Sequence, residues 1–269
     1  MREIKNVFAN VLFWTGLAVL TAAFYLSGRE YMGQLAVLFD GQEGEGPAVW
    51  IEVFQYCITA KNGMMFVPIC APLAAGACAE MELRSRYALF SCCRIGKRSY
   101  CRKKIWECVL PGGLMVFCSE LLVLLLAFAR FYRLSPPPDG SEIGGIIGVI
   151  LFSLGEGFLN GVLWAGAGGT AAILARNPYI AYALPFVTFY VLTVFQERYY
   201  RSLFFLSPKC WADPVYFREA ANEAALLIFG GCSEIFDLGH LFCIGILSGM
   251  CAVCFRCFPG AVKRRLDLM

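Results

Sequence analysis

Glu120, Glu156 and Asn160 are the side chains whose presence is hardest to explain in this sequence. Glu120 stands midway along an apolar run that contains LLVLLLAF, and Glu156 and Asn160 lie together in GEGFLNG. An ionisable group in such surroundings is costly. It either pairs with a neighbouring helix or lines a polar path for a substrate or a proton. Both roles are open for Glu120. For Glu156 the glycines on either side point first to a bend at the outer interface, with Asn160 beside it. Asn10 is of the type that hydrogen-bonds one buried helix to another.

The other reactive residues lead mainly to exclusions. His240 is the only histidine. Ser248 lies on the same predicted helix about 12 Å away by rise alone, and no serine stands in a G-x-S-x-G context. A nucleophile and its base must lie within hydrogen-bond reach, so an intramembrane enzyme is a minor alternative and no catalytic residue is assigned. Cys251, Cys254 and Cys257 recur at i, i+3 and i+6. Zinc needs a tetrahedral set, and His240 would lie about 16 Å from Cys251, so no metal is expected. Cys70, Cys78, Cys108, Cys118 and Cys243 read as small apolar residues. Cys57, Cys210 and Cys232 fall in outer segments, where an oxidising compartment would allow a Cys210–Cys232 disulfide. No G-x-x-x-x-G-K-[ST] phosphate loop is present, so the chain does not hydrolyse ATP by that route, and it needs no cofactor of its own.

A second concentration of chemistry is electrostatic. Eight Lys or Arg fall between Arg84 and Lys104, in MELRSRYALFSCCRIGKRSYCRKKIWE, with apolar sequence on both sides. Leu83, Tyr87, Phe90 and Cys93 or Arg94 recur at helical spacing, RIGKRSY supplies a turn centred on Gly96, and CRKKIWE leads into the next apolar run. The expected form is an amphipathic helix, a turn and a re-entry helix beneath the membrane. Contact with anionic headgroups, at about 1 kcal/mol per basic residue, is the simplest role for such charge.

The elements that position these residues are membrane spans. The chain has 269 residues, 59% hydrophobic and only 16% charged, too little charge to cover a soluble domain of that size. A hydrocarbon core about 30 Å thick needs about 20 apolar residues at 1.5 Å each. The fold class expected is an all-α integral membrane protein with six transmembrane helices, at about 7–27, 63–81, 108–130, 156–175, 179–195 and 238–256, in one permease domain over 1–269. Arg2 and Lys5 precede the first run, which is longer than a signal-peptide core and lacks a cleavage site, so it is read as an uncleaved span. Residues 143–154 are expected to form a re-entrant or interfacial piece broken from the fourth span at Gly155–Gly157. RNP at 176–178 makes a tight turn, and AALLIFGG at 224–231, too short to cross, dips in and returns. Small residues at Ala165, Gly169 and Ala172 are expected to let helices pack closely.

Six crossings put both termini on one side. Fifteen Lys and Arg fall in the termini and the segments on that side, against eight on the other. The positive-inside rule makes the first side cytoplasmic, and residues 82–107 become the main cytoplasmic loop.

The layout GACAEMELRSRYALFSCCRIGKRSYCRKKIWECVLPGG resembles the permease subunits of the ABC-2 group of ATP-driven transporters. These have a Glu at the cytoplasmic end of the second span, a Ser/Arg-rich helix, a Tyr near its end and a Lys leading into the third span. A second stretch, RNPYIAYALPFVTFYVLTVFQERYYRSLFFLSP, resembles small permease-like proteins of Gram-positive bacteria. The resemblance implies a bacterial plasma-membrane permease that pairs with itself or with a sister permease, favours export over import, and takes its motion from a separate ABC ATPase subunit holding ATP and Mg. On this chain the ATPase-coupling positions would be Glu80, Glu82, Arg94, Gly96, Lys97, Arg98, Tyr100 and Lys104. Glu120, Glu156 and Asn160 would lie on the substrate path. No nucleic-acid partner is implied. A solute-binding membrane component of another transporter type is the alternative.

Overall fold

A computed structural model describes residues 10–38, 49–132, 140–199, 207–213 and 236–268, which are helical throughout apart from short connecting turns. The helices are α1 (Val11–Ser27), α2 (Arg29–Leu38), α3 (Val49–Thr59), α4 (Lys61–Met64), α5 (Val67–Cys70), α6 (Cys78–Arg84), α7 (Tyr87–Ile95), α8 (Lys97–Phe131), α9 (Gly140–Ala175), α10 (Ile180–Arg198) and α11 (Phe236–Asp267). Four of them, α8 to α11, are long and apolar enough to cross a membrane, and α1 with α2 makes a fifth if that pair, bent by 43°, counts as one span. The chain is a multi-pass membrane protein.

The pair α8 and α9 is the spine. They have 35 and 36 residues, about 52 and 54 Å of helix, well beyond the thickness of a hydrocarbon core. Small residues bring them together: Gly112 lies against Ala165 and the Gly161 carbonyl, and Gly169 lies against Cys108. The small-residue face expected at Ala165, Gly169 and Ala172 is therefore used within one chain. Ala172 packs with Ala77 and Ala181.

Three expectations need correction. The fourth span is not broken at Gly155–Gly157, because α9 runs unbroken from Gly140 to Ala175. Gly157 is not a hinge but a point of close approach: a β-carbon there would collide with the Glu120 carboxylate. The expected second span, 63–81, does not form one helix. Between 63 and 81 the chain forms α4, α5, a run of turns and α6 rather than one helix. Pro68 sits in the first turn of α5, where a missing N–H costs little, while Pro72 offers no N–H to continue the helix. The freed backbone is buried, with Ala71, Ala74 and Ala77 all inside the bundle, which is where a membrane protein tolerates irregular chain. The third correction is α3, placed outside the spans by its sequence but buried through Val49, Val53, Phe54, Cys57 and Ile58.

The turn after α9 forms as the RNP sequence suggests. Arg176 takes a left-handed conformation with φ 58°, and the Tyr179 N–H donates to Asn177 Oδ1 at 3.0 Å. The expected dip at 224–231 lies outside the described residues, as does Cys232. The neighbouring piece 207–213 is described, and it enters the bundle. Cys210 and Trp211 are buried, Trp211 stacks on Trp164 of α9, and Cys243 of α11 donates to the Cys210 carbonyl at 3.3 Å.

Ion pairs and hydrogen bonds sort the polar residues to two ends. At one end Lys97 meets Asp267, Lys104 meets Glu82, Arg265 approaches Glu80, and Asn10 donates to the Ala74 carbonyl. At the other Lys61 meets Glu197 and Arg130 donates to the Tyr25 hydroxyl. None of these pairs joins residues from the two sides separated by charge counting.

Candidate functional site

Two polar regions stand out, and they are built in opposite ways. The first is the basic hairpin. A single amphipathic helix over 83–94 does not form, because Arg86 adopts φ 61° and separates α6 from α7. Leu83 is buried at the end of α6, and α7 turns Ala88 inward, with Leu89, Ser91 and Cys92 half-buried. Tyr87, Phe90, Cys93 and Arg94 are exposed. Gly96 then closes α7 and opens α8 with φ 81° and ψ 146°, a conformation that excludes most side chains. Arg94, Lys97 and Arg98 are exposed around this turn.

The hairpin is held by a saturated network one turn further on. Lys104 is buried to 5% exposure. Its ammonium donates to Glu82 Oε1 and Glu107 Oε2, both at 2.6 Å. The Tyr100 hydroxyl donates to the other Glu82 oxygen at 3.1 Å. One buried cation, two carboxylates and a phenol thus satisfy one another, and hydrogen-bonded charge pairs of this kind are stronger than neutral ones. The network ties α6 to α8. Glu80 is different: it is fully buried, Arg265 Nη2 approaches it at 3.7 Å, and neither of its oxygens has a hydrogen-bond partner. A groove of about 730 Å³ beside the hairpin is lined by Tyr87, Ile95, Tyr100 and Trp106 and reaches the Glu82–Lys104 pair.

The second region is a cavity of about 410 Å³ toward the opposite end, between α1, α3, α8 and α9, with the inserted piece 207–213 closing one side. Glu120 comes from α8; Ser153, Glu156 and Asn160 come from successive turns of one face of α9. All four are at most 8% exposed. Glu156 Oε1 lies 2.9 Å from His240 Nδ1 of α11, and Phe152 stacks on the imidazole with ring centroids 5.6 Å apart. Glu120 has no such neighbour: its Oε2 is buried without a hydrogen-bond partner. The mouth is formed by Glu52 and Tyr56, both exposed, and Tyr56 stacks on Tyr31 at 4.4 Å.

All three residues expected on a substrate path, Glu120, Glu156 and Asn160, therefore line one cavity. Sequence reasoning missed Glu52, Tyr31, Tyr56 and Asp213 in the same wall. The signal for the first was the helical recurrence of apolar residues around it at 49, 53, 54, 57 and 58. It also missed the His240–Glu156 pair, which joins residues 84 positions apart. His240 oriented by a buried carboxylate resembles the base of a catalytic triad, yet its hydrogen-bonding neighbour among the described residues is that carboxylate, not a hydroxyl or thiol. Among the described residues no three His, Cys, Asp or Glu converge to hold a metal ion.

Compared with known proteins, the chain matches no family model, no curated protein and no solved structure. What it does must be argued from these two regions.

Proposed function

We infer that the chain is the membrane-spanning permease subunit of an ATP-driven ABC transporter of the ABC-2 group, an exporter moved by a separate ATPase subunit. In this reading it crosses the bacterial plasma membrane six times, residues 49–84 making the broken second crossing, with both termini in the cytoplasm. A second permease, identical or related, completes the transporter, and the partner ATPase binds ATP and Mg.

The observation that carries the reading is the rigid cationic hairpin continuous with a spanning helix. A chain without a phosphate loop has to receive mechanical work through a stiff feature that protrudes from its spans. The α7–Gly96–α8 corner protrudes, exposes Tyr87 and Phe90 among basic residues, and is braced from beneath by Lys104, Glu82 and Tyr100. Aromatic side chains ringed by cations suit a protein partner with an acidic cleft. Glu82, Tyr100 and Lys104 act as the brace, and Arg94, Gly96, Lys97 and Arg98 as the surface that is pushed. Glu80 sits behind them against the last helix.

The test is to purify the tagged chain from its host with any bound P-loop ATPase, identify that subunit by mass spectrometry, and measure ATP hydrolysis in vesicles. Replacing residues 94–100 by a Gly/Ser linker is expected to release the ATPase. Retained binding with hydrolysis still coupled to transport refutes the assignment.

A further inference from the structure

The cavity around Glu120 is lined by acidic side chains, one of which lacks a hydrogen-bond partner. Among the described residues Glu52, Glu120, Glu156 and Asp213 line it, with no Lys or Arg. His240 answers Glu156. Glu120 lines the cavity at 5% exposure, and its Oε2 is buried without a hydrogen-bond partner. Its carboxylate also repels that of Glu156, an interaction that grows as water is excluded. Leaving a buried acceptor in this state is costly unless something else arrives to satisfy it.

Three kinds of visitor would relieve the charge: a proton, a metal ion or an organic cation. Metal coordination needs several converging ligands, and no such group occurs among the described residues. A proton would need neither the volume nor the rings. The cavity offers about 410 Å³, within the range of about 300–1,000 Å³ typical of small-molecule sites. Its apolar wall includes Phe24, and stacked Tyr31 and Tyr56 stand beside Glu52 at the mouth. Aromatic faces next to carboxylates are the environment in which ammonium groups are held, because the ring quadrupole attracts a cation whose hydration shell is weak.

We propose that this cavity is the binding site of an organic cation, its ammonium group on Glu120 and its apolar body against Phe24, Tyr31 and Tyr56. The proposal rests on the permease reading for its purpose, since it names the class of cargo, but binding itself needs no ATPase.

Ethidium is a suitable probe, measured by fluorescence polarisation on the full chain in nanodiscs without any partner. Saturable binding is expected, displaced by benzyltrimethylammonium and not by the same concentration of sodium chloride. Glu120→Gln keeps the shape and removes the charge, and should weaken binding about ten-fold or more. Glu52→Gln, at the exposed mouth where folding is not at stake, should weaken it several-fold less. Absence of saturable binding, equal affinity in both variants and the wild type, or equal displacement by sodium overturns the proposal. If Glu120→Gln does not fold, the Glu52→Gln result and the displacement series decide. Because the assay contains no ATPase, failure here leaves the permease assignment standing. Loss of ATPase coupling in the 94–100 linker variant, conversely, leaves ethidium binding unchanged.

Discussion

The Lys104 network at the start of α8 and the Glu120 carboxylate near its midpoint both place acids inside the protein, yet only the acids around Lys104 are paired. At Lys104 the cation, both carboxylates and the Tyr100 hydroxyl satisfy one another within 3.1 Å. At Glu120, four turns along the same helix, a carboxylate oxygen is buried with no partner. A satisfied network rigidifies, and an unsatisfied one is available to a ligand. On the permease reading this helix has a transmitting end and a receiving middle, and substitutions at the two places should move stability in opposite directions.

The largest effect is expected at the transmitting end. Lys104→Met removes the shared cation and leaves Glu82 and Glu107 facing each other. Breaking a fully buried pair costs about 3–5 kcal/mol; these carboxylates are partly exposed, so about 2 kcal/mol is expected. The apparent melting temperature in detergent should fall clearly, and the double variant with Glu82→Gln should recover part of the loss. An unchanged melting temperature would mean that the network does not brace α6 on α8.

Gly157→Ala comes next and sharpens the contrast from the cavity side. The added methyl group meets the Glu120 carboxylate, and overpacking of this kind costs about 1–3 kcal/mol. Pairing it with Glu120→Ala removes the obstacle, so the double variant should be more stable than additivity allows. Additive losses would show that the two residues are not in contact.

Glu120→Gln by itself should raise the melting temperature, by the equivalent of about 1 kcal/mol, because it replaces a buried ionisable group that lacks a partner and lies near Glu156. A charge that destabilises its own protein is a common mark of a functional position. A fall in melting temperature would instead identify Glu120 as a structural partner in the bundle.

Much of this contrast could be read from the sequence, and the failures have physical causes. Glu120 was conspicuous because an ionisable group beside LLVLLLAF is costly in lipid, whether it pairs with a helix or lines a path, and Arg84–Lys104 was conspicuous because positive charge clusters on one side of a membrane. The Gly96 corner followed from a glycine between two helical patterns. Gly157 was misread because a glycine permits a bend and a close contact equally, and only the position of Glu120 across the interface decides between them. The irregular chain over 63–81 reads as a span, although Pro68 and Pro72 each disfavour a continuous helix. Its extension through α3 was hidden by the acids before Val49 and by Glu52, which look like outer-loop residues until the cavity they border is known. Pairs such as Glu156 with His240 depend on helix register across the bundle, which no local pattern encodes.

The smallest effect tests how far the brace extends. Lys97 also forms an ion pair, with Asp267 at 2.9 Å, but both side chains are largely exposed, at 60% and 66%. Water competes for such charges, and holding two long side chains together costs entropy, so the pair adds little to stability. Lys97→Ala should therefore leave the melting temperature unchanged while weakening ATPase coupling, since the permease reading puts Lys97 on the pushed surface rather than in the brace. A melting temperature lowered as far as that of Lys104→Met would show that the end of α11 is clamped to the hairpin. The stroke would then enter the bundle through two helices, and Glu80, lying against Arg265 of the same helix, would become part of the transmission.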